Sequence, residues 1–221
     1  MGTSPRHIAV KKIYKKLFSS FGPQKWWPAK TRLEVIVGAI LVQNTNWSNA
    51  KKAIANLRKY DLLSIEGLKS ISTRQLSLLI KPSGYFRVKT KRLKNFIHFL
   101  FEEFDGDLNK VAKEKTQILR KKLLSVNGIG PETADSIILY AFNKPIFVVD
   151  AYTRRIFSRH KFAKSTDDYQ TLQNLFSESL DFDVTIFNEY HALIVYLGKT
   201  FCKSKKPLCK ECPLKEFSHT A

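Results

Sequence analysis

The sequence predicts an all-α fold. Three observations carry the prediction. Apolar residues recur at helical spacing through most of the chain, Gly-, Pro- and Asn-containing breakers separate the runs, and the one β-branched segment is short and isolated. Leu33, Ile36, Val37, Ile40 and Leu41 mark the first core helix. Ala50, Ala53, Ile54 and Leu57 repeat the pattern after a polar break over 43–49. Further helices are expected at 61–70, 73–80, 87–104, 107–113, 115–125, 132–142, 151–160, 167–180 and 184–199. Pro82-Ser83-Gly84, Asp105-Gly106, Asn127-Gly128-Ile129-Gly130-Pro131 and Asn143-Lys144-Pro145 punctuate them. Ile146 to Val149 reads as an extended piece without partners. No repeat, low-complexity linker or composition shift splits the chain.

Its 221 residues suffice for one large domain or two small lobes sharing a groove. With 43% hydrophobic and 12% aromatic residues the chain can build a sizeable core, which excludes global disorder. The longest apolar stretch, Val35 to Val42, is too short to span a bilayer. The first residues are basic but carry no continuous apolar run of the secretory kind, so a cytoplasmic, nucleoid-associated protein is expected. Lys and Arg number 38 against 19 acidic residues, a net charge of +19 that points to a polyanion. Nucleic acid fits, because each phosphate neutralised releases condensed counterions. All three cysteines fall between Cys202 and Cys212, which suggests a metal or cluster site in a reducing compartment and not a disulfide framework.

The most informative stretch is LLSVNGIGPETADSIILYAFNKPIFVVDAYTRR, Leu123 to Arg155. A helix ends at Gly128-Ile129-Gly130 and a new one opens at Pro131, a residue that loses no hydrogen bond at the first helical position. Two glycines around an apolar residue allow a tight hairpin with Ile129 anchored inward. The glycine amides and the helix N-terminus form a cradle for an anion. Such backbone contacts grip phosphate without reading sequence. Beyond an apolar segment, Asp150 stands before the helix AYTRRIFSRH in an N-cap position that favours an ionised carboxylate.

The pattern L-x-x-V-x-G-I-G-x-x-T-A, an apolar run and then V-V-D resembles the helix-hairpin-helix and Gly/Pro-rich loop signature of the endonuclease III superfamily of DNA glycosylases. The resemblance implies that Asp150 is the catalytic carboxylate and that Asn127, Gly128, Ile129, Gly130 and Thr133 hold phosphates beside a flipped nucleotide. Breaking a base–sugar bond builds positive charge on the sugar, which a carboxylate stabilises while it orients or deprotonates water. The base must leave the stack first. Glu132 stands where bifunctional members carry a Lys nucleophile, and a carboxylate forms no Schiff base. The resemblance therefore implies a monofunctional enzyme, with Glu132 at the catalytic position or acting only as a first-turn helix acid.

Upstream, LEVIVGAILVQNTNW resembles the family's helix and turn with a Gln that enters the DNA, and Gln43 takes that place. In SGYFRVKTKR, Tyr85 matches the residue that pries apart the opposite strand, with Lys89, Lys91 and Arg92 expected near the DNA backbone. Trp26, Trp27 and Trp47 are expected around the base pocket. A WWP segment, a QNT run and the Glu at the hairpin resemble the 3-methyladenine DNA glycosylase branch. Bases alkylated on a ring nitrogen are cationic, and desolvated indoles bind cations by about 1–2 kcal/mol.

Cys202, Cys209 and Cys212 have the spacing C-x6-C-x2-C and resemble the first three ligands of the superfamily's iron–sulfur loop. Ser218 occupies the fourth place and His219 follows it, so the resemblance implies a [4Fe-4S] cluster with an incomplete cysteine set and Ser218 or His219 at the fourth iron. Zinc on three Cys and His219, or plain thiols, are the other readings. The resemblance further implies a central lobe over 31–144 and a second lobe from 1–30 and 145–221, with a DNA groove between them. The expected partner is duplex DNA bearing a damaged base, bound by a monomer without membrane association. The leading function is a monofunctional glycosylase for alkylated purines. Alternatives are a bifunctional glycosylase and lyase for oxidised pyrimidines, a mismatch T or U glycosylase, and a non-catalytic DNA-binding module.

Overall fold

A computed structural model of the chain describes residues 5–24, 26 and 29–220. The fold is all-helical, and no strand occurs among the described residues. The chain divides into two compact units, Trp27–Lys144 and Met1–Trp26 with Pro145–Ala221.

The continuous unit is built on α2 (Arg32–Leu41), whose residues from Leu33 to Leu41 are all buried. Thr31 caps it, Oγ1 accepting from the Glu34 amide at 3.2 Å. Buried Glu34 is neutralised by Arg58 at 2.6 Å from α3 (Trp47–Lys59). Next come α4 (Ile65–Ser70), α5 (Thr73–Leu79), α6 (Phe86–Phe104), α7 (Leu108–Lys113), α8 (Thr116–Leu124) and α9 (Pro131–Ser136). The helix expected from position 61 starts at Ile65 instead. Asp61 takes a left-handed φ of 55°, and the Ser64 hydroxyl then caps the Gly67 amide. The helix expected over 132–142 is α9 followed by a π-helical turn, Ile137–Ala141. Buried Asp135 of α9 takes Arg120 of α8 in a two-pronged pair at 2.7 and 3.2 Å. Breaking one partner of such a pair typically costs about 3–5 kcal/mol, so the helices flanking the hairpin are firmly joined.

The second unit contains α1 (Pro5–Phe21), α10 (Ala151–Arg159), α11 (Tyr169–Ser179) and α12 (Val184–Thr200). Its core is aromatic. Phe147 stacks on Phe176 at 3.8 Å and meets Phe187 edge-on at 5.7 Å. Ile146 to Val149 is extended and buried, with no partner strand among the described residues. Side chains replace the ladder: Gln173 donates to the Phe147 carbonyl at 2.6 Å, and the Val149 amide donates to the Tyr169 hydroxyl at 3.3 Å. Gly198 of α12 lets α10 approach closely, since a Cβ there would sit 2.4 Å from the Tyr152 ring.

Candidate functional site

Asp150 is the N-cap of α10, at the point where the buried extended segment turns into helix. Its Oδ1 accepts from the Thr153 amide at 2.7 Å and the Thr153 hydroxyl at 2.9 Å. Its Oδ2 lies 3.5 Å from Nε2 of His191, which projects from α12. The carboxylate is only 11% exposed. Burial alone would raise its pKa, but His191 and the Thr153 bonds outweigh burial and hold it below the usual 3.8. An acceptor-only, ionised carboxylate results, oriented on one oxygen by Thr153 and faced by His191 Nε2 on the other.

His191 is absent from the residues expected on sequence grounds. Phe187, Tyr190, His191 and Ile194 are all buried, so a helical-face count over 184–199 places a histidine among core residues. Lys199, in the last turn of α12, is a second addition. Its ammonium lies 5.2 Å from the Trp26 ring, and burial lowers its pKa against the opposing field of Asp150. Trp26 is thus half-buried beneath a cation. Trp27 lies outside the described residues, and half-buried Trp47 opens α3 in the other unit.

In the continuous unit, the hairpin turns through Gly128 at φ 95°, with Ile129 buried as expected. The outward-facing amides are fewer than the motif suggests. Ile129 donates to the Val126 carbonyl at 3.0 Å, which closes the turn. No acceptor takes the Gly128 and Gly130 amides among the described residues, and Asn127 is exposed. Thr133, expected at phosphate, is buried and accepts from Nε2 of Gln43 at 2.8 Å. The same Gln43 nitrogen donates to the Gly128 carbonyl at 3.1 Å, and Arg92 donates to Gln43 Oε1. Gln43 and the hairpin therefore form one hydrogen-bonded group.

Tyr85 is 71% exposed, so it is no core residue. It holds a left-handed φ of 46° at the start of α6, an uncommon conformation for an aromatic and one that is retained only when surroundings impose it. Lys89 corrects an expectation. It is 1% exposed, and its ammonium donates inward to the carbonyls of Leu41 at 2.8 Å and Ser83 at 2.7 Å, so it does not face a DNA backbone. Burial and Arg92 lower its pKa to about 8. Glu132 is exposed in the first turn of α9.

Cys202, Cys209, Cys212 and His219 line one narrow pocket with Arg159 and His160 of the C-terminal end of α10. Arg159 donates to Cys202 Sγ at 3.3 Å, and Arg155 donates to the Cys202 carbonyl at 2.8 Å. Ser218 is exposed, and its carbonyl is 3.2 Å from His160 Nδ1. Among the described residues no three His, Cys, Asp or Glu side chains gather around a single point as ligands of one ion. No helix among them is long and apolar enough to cross a membrane.

The model of the HhH-GPD superfamily of base excision DNA repair proteins matches residues 37–181. A protein of Methanocaldococcus jannaschii described as a candidate DNA repair glycosylase is 49% identical over 210 residues, 94% of each chain. Endonuclease III of Sulfolobus acidocaldarius is 28% identical over 85% of this chain and 82% of its own. Among solved structures, the 3-methyladenine DNA glycosylase of H. pylori bound to 1,N6-ethenoadenine superposes with a TM-score of 0.73 at 26% identity, over 87% of this chain and 95% of that one. A non-covalent endonuclease III–DNA complex superposes with a TM-score of 0.82 at 17% identity, over 99% and 96% of the two chains, which shows a shared fold.

Proposed function

The chain belongs to the HhH-GPD superfamily of base excision DNA repair proteins, and within it we propose a monofunctional DNA glycosylase that hydrolyses the N-glycosidic bond of an alkylated purine flipped from duplex DNA. The observation that carries this reading is Asp150: a buried, oriented carboxylate kept ionised by His191 and Thr153. As the base departs, the sugar becomes cationic, and fixed negative charge beside it is stabilising in a water-poor site. Water delivers the hydroxyl, and Asp150 orients it or takes its proton. The amides of Gly128 and Gly130 supply anion contacts, Gln43 fills the vacated space, and Tyr85 wedges the strand. Exposed Glu132 at the place of the family's amine nucleophile supports hydrolysis. The alkylpurine assignment is supported by Trp26 and by likeness to the H. pylori 3-methyladenine enzyme.

One observation favours a second reading. The Lys199 ammonium stands 5.2 Å from the Trp26 ring, and burial lowers its pKa against the field of Asp150, so it is the amine to test as a nucleophile if strand cleavage accompanies base loss. Incubation with alkylated, oxidised and mismatched duplexes, followed by mass analysis of released bases, is expected to give 3-methyladenine. Borohydride is expected to trap no protein–DNA adduct. Release of oxidised pyrimidines alone would overturn the substrate reading. An adduct lost in Lys199→Ala would establish the lyase.

For the cysteine loop we propose a [4Fe-4S] cluster on Cys202, Cys209 and Cys212, with His219 at the fourth iron in preference to exposed Ser218. The donors suit it. Thiolates are soft ligands, and a cluster gives each its own iron, so three sulfurs need not converge as they would on one zinc. His219 Nδ1 lies 2.9 Å from the Phe217 carbonyl, and donating there leaves Nε2 as the free lone pair. Such a group would serve as a staple between the C-terminal loop and α10. Anaerobically purified protein is expected to contain about four irons and four sulfides and to lose them in Cys209→Ser. One zinc per chain, or no metal, would overturn the assignment.

A further inference from the structure

The opening turns of α6 carry Lys89, Arg92 and Asn95 at successive three-residue steps, which puts them along one side of the helix. Together they reach the three segments that the proposed function places against the duplex. Lys89 binds the carbonyl of Leu41, two residues before Gln43, and that of Ser83, two residues before Tyr85. Arg92 binds the Gln43 side chain, and its aliphatic stem lies against Gly128. Asn95 donates to the Asn127 carbonyl of the hairpin at 3.0 Å.

We propose that Lys89 and Arg92 are positioning residues: Lys89 locks the Gln43 turn to the Tyr85 loop, and Arg92 releases Gln43 from the hairpin as phosphate arrives there. The proposal rests on the reading of Gln43 and Tyr85 as the residues that enter the duplex.

The first half follows from the cost of a buried cation. Among the described residues no carboxylate pairs with Lys89; its ammonium is held by two carbonyls, one of them the C-terminal carbonyl of α2, where the helix dipole favours positive charge. A fold that needed only packing here would be served as well by an apolar side chain of similar length. What the ammonium adds is a fixed distance between two chain segments, each two residues from a side chain that must meet the same base pair.

The second half follows from the hydrogen bonds of Gln43. Its nitrogen serves Gly128 and Thr133, and its oxygen serves Arg92. Gln43 is therefore parked on the hairpin and must exchange these bonds to enter DNA. When it leaves, the Arg92 guanidinium is freed beside the hairpin, where a phosphate accepts from it more strongly than a neutral amide does. Phosphate capture and Gln43 insertion then favour each other, and the coupling is reciprocal.

Single-turnover base release at saturating DNA, and fluorescence of 2-aminopurine placed beside the lesion, test the proposal with the full chain. Lys89→Met, and Lys89→Gln as the second variant, are expected to slow release by ~10- to 100-fold, the scale of a small misplacement. DNA affinity should change by less than about threefold, well under one decade of binding constant. In these backgrounds Gln43→Ala should have little further effect. Arg92→Met should weaken binding and flatten its salt dependence by ~one phosphate, while Arg92→Lys restores binding in part. A Gln43→Ala effect undiminished by Lys89 substitution overturns the lock, as does a wild-type rate in both Lys89 variants. Loss of activity only in proportion to loss of folded protein also overturns it. If Gln43→Ala and Tyr85→Ala alone leave release and fluorescence at wild-type values, the insertion reading fails as well, which separates the two failures.

Discussion

Asp150→Asn is expected to lower base release by about 10³-fold or more, the scale of removing a group that stabilises transition-state charge, while damaged DNA is still bound. Asparagine keeps the shape and can still accept from the Thr153 amide, and Asn caps helices about as well as Asp, so α10 should stay formed. What disappears is the negative charge. This separates the bland role of a helix cap from the catalytic one: a structural cap would tolerate the change, a counter-charge would not. Quantifying released base under single-turnover conditions, beside gel-shift affinity, is the measurement. Near wild-type release by the Asp150→Asn variant would remove Asp150 from the mechanism. The same carboxylate gives a pH expectation. Its folded pKa lies below 3.8, so its contribution to stability is present above that value and is lost as pH falls through the lower, folded one. Asp150 therefore stays ionised throughout neutral and mildly acidic conditions, and any decline in rate between about pH 8 and 5 belongs to another group.

Local chemistry is legible in the sequence, and long-range partnership is not. Gly128-Ile129-Gly130-Pro131 and Asp150 before a helix declare themselves because the turn and the cap are made by neighbouring residues. His191 reaches Asp150 from another helix, and nothing in the spacing of either residue records the encounter. Lys89 shows the opposite failure. A lysine in a basic run reads as a surface group, and only the two carbonyls that receive it explain its burial. The amphipathic α1 escapes a reading by motif although Val10, Ile13 and Leu17, all fully buried, carry helical spacing, because its many lysines invite a reading in terms of charge. The π-helical turn after α9 has no signature in the pattern of apolar residues.

The hairpin provides the other large effect, and two glycines a residue apart supply the contrast. Gly128 holds φ 95°, where any side chain is strained, and an added Cβ would lie 2.3 Å from Cγ and 2.9 Å from Cδ of Arg92. Those atoms belong to the stem of the side chain, so relief requires moving Arg92 as a whole and with it the bond to Gln43. Gly130 has φ −90° and nothing within 4 Å of the added atom. Gly128→Ala is thus expected to destabilise the fold by about 2–4 kcal/mol, from backbone strain together with overpacking. Gly130→Ala should cost under about 0.5 kcal/mol. Urea unfolding of both variants decides the stability claim. Binding of an abasic duplex decides the functional one: a misdirected Gly128 amide and a displaced Arg92 should together weaken affinity by ~10-fold or more, at one charged hydrogen bond's worth of free energy. Equal stability of the two variants would mean that the turn relaxes freely around Gly128. A hairpin that relaxes freely could neither aim its amides at phosphate nor park Gln43, so the same result would remove the physical basis for both roles.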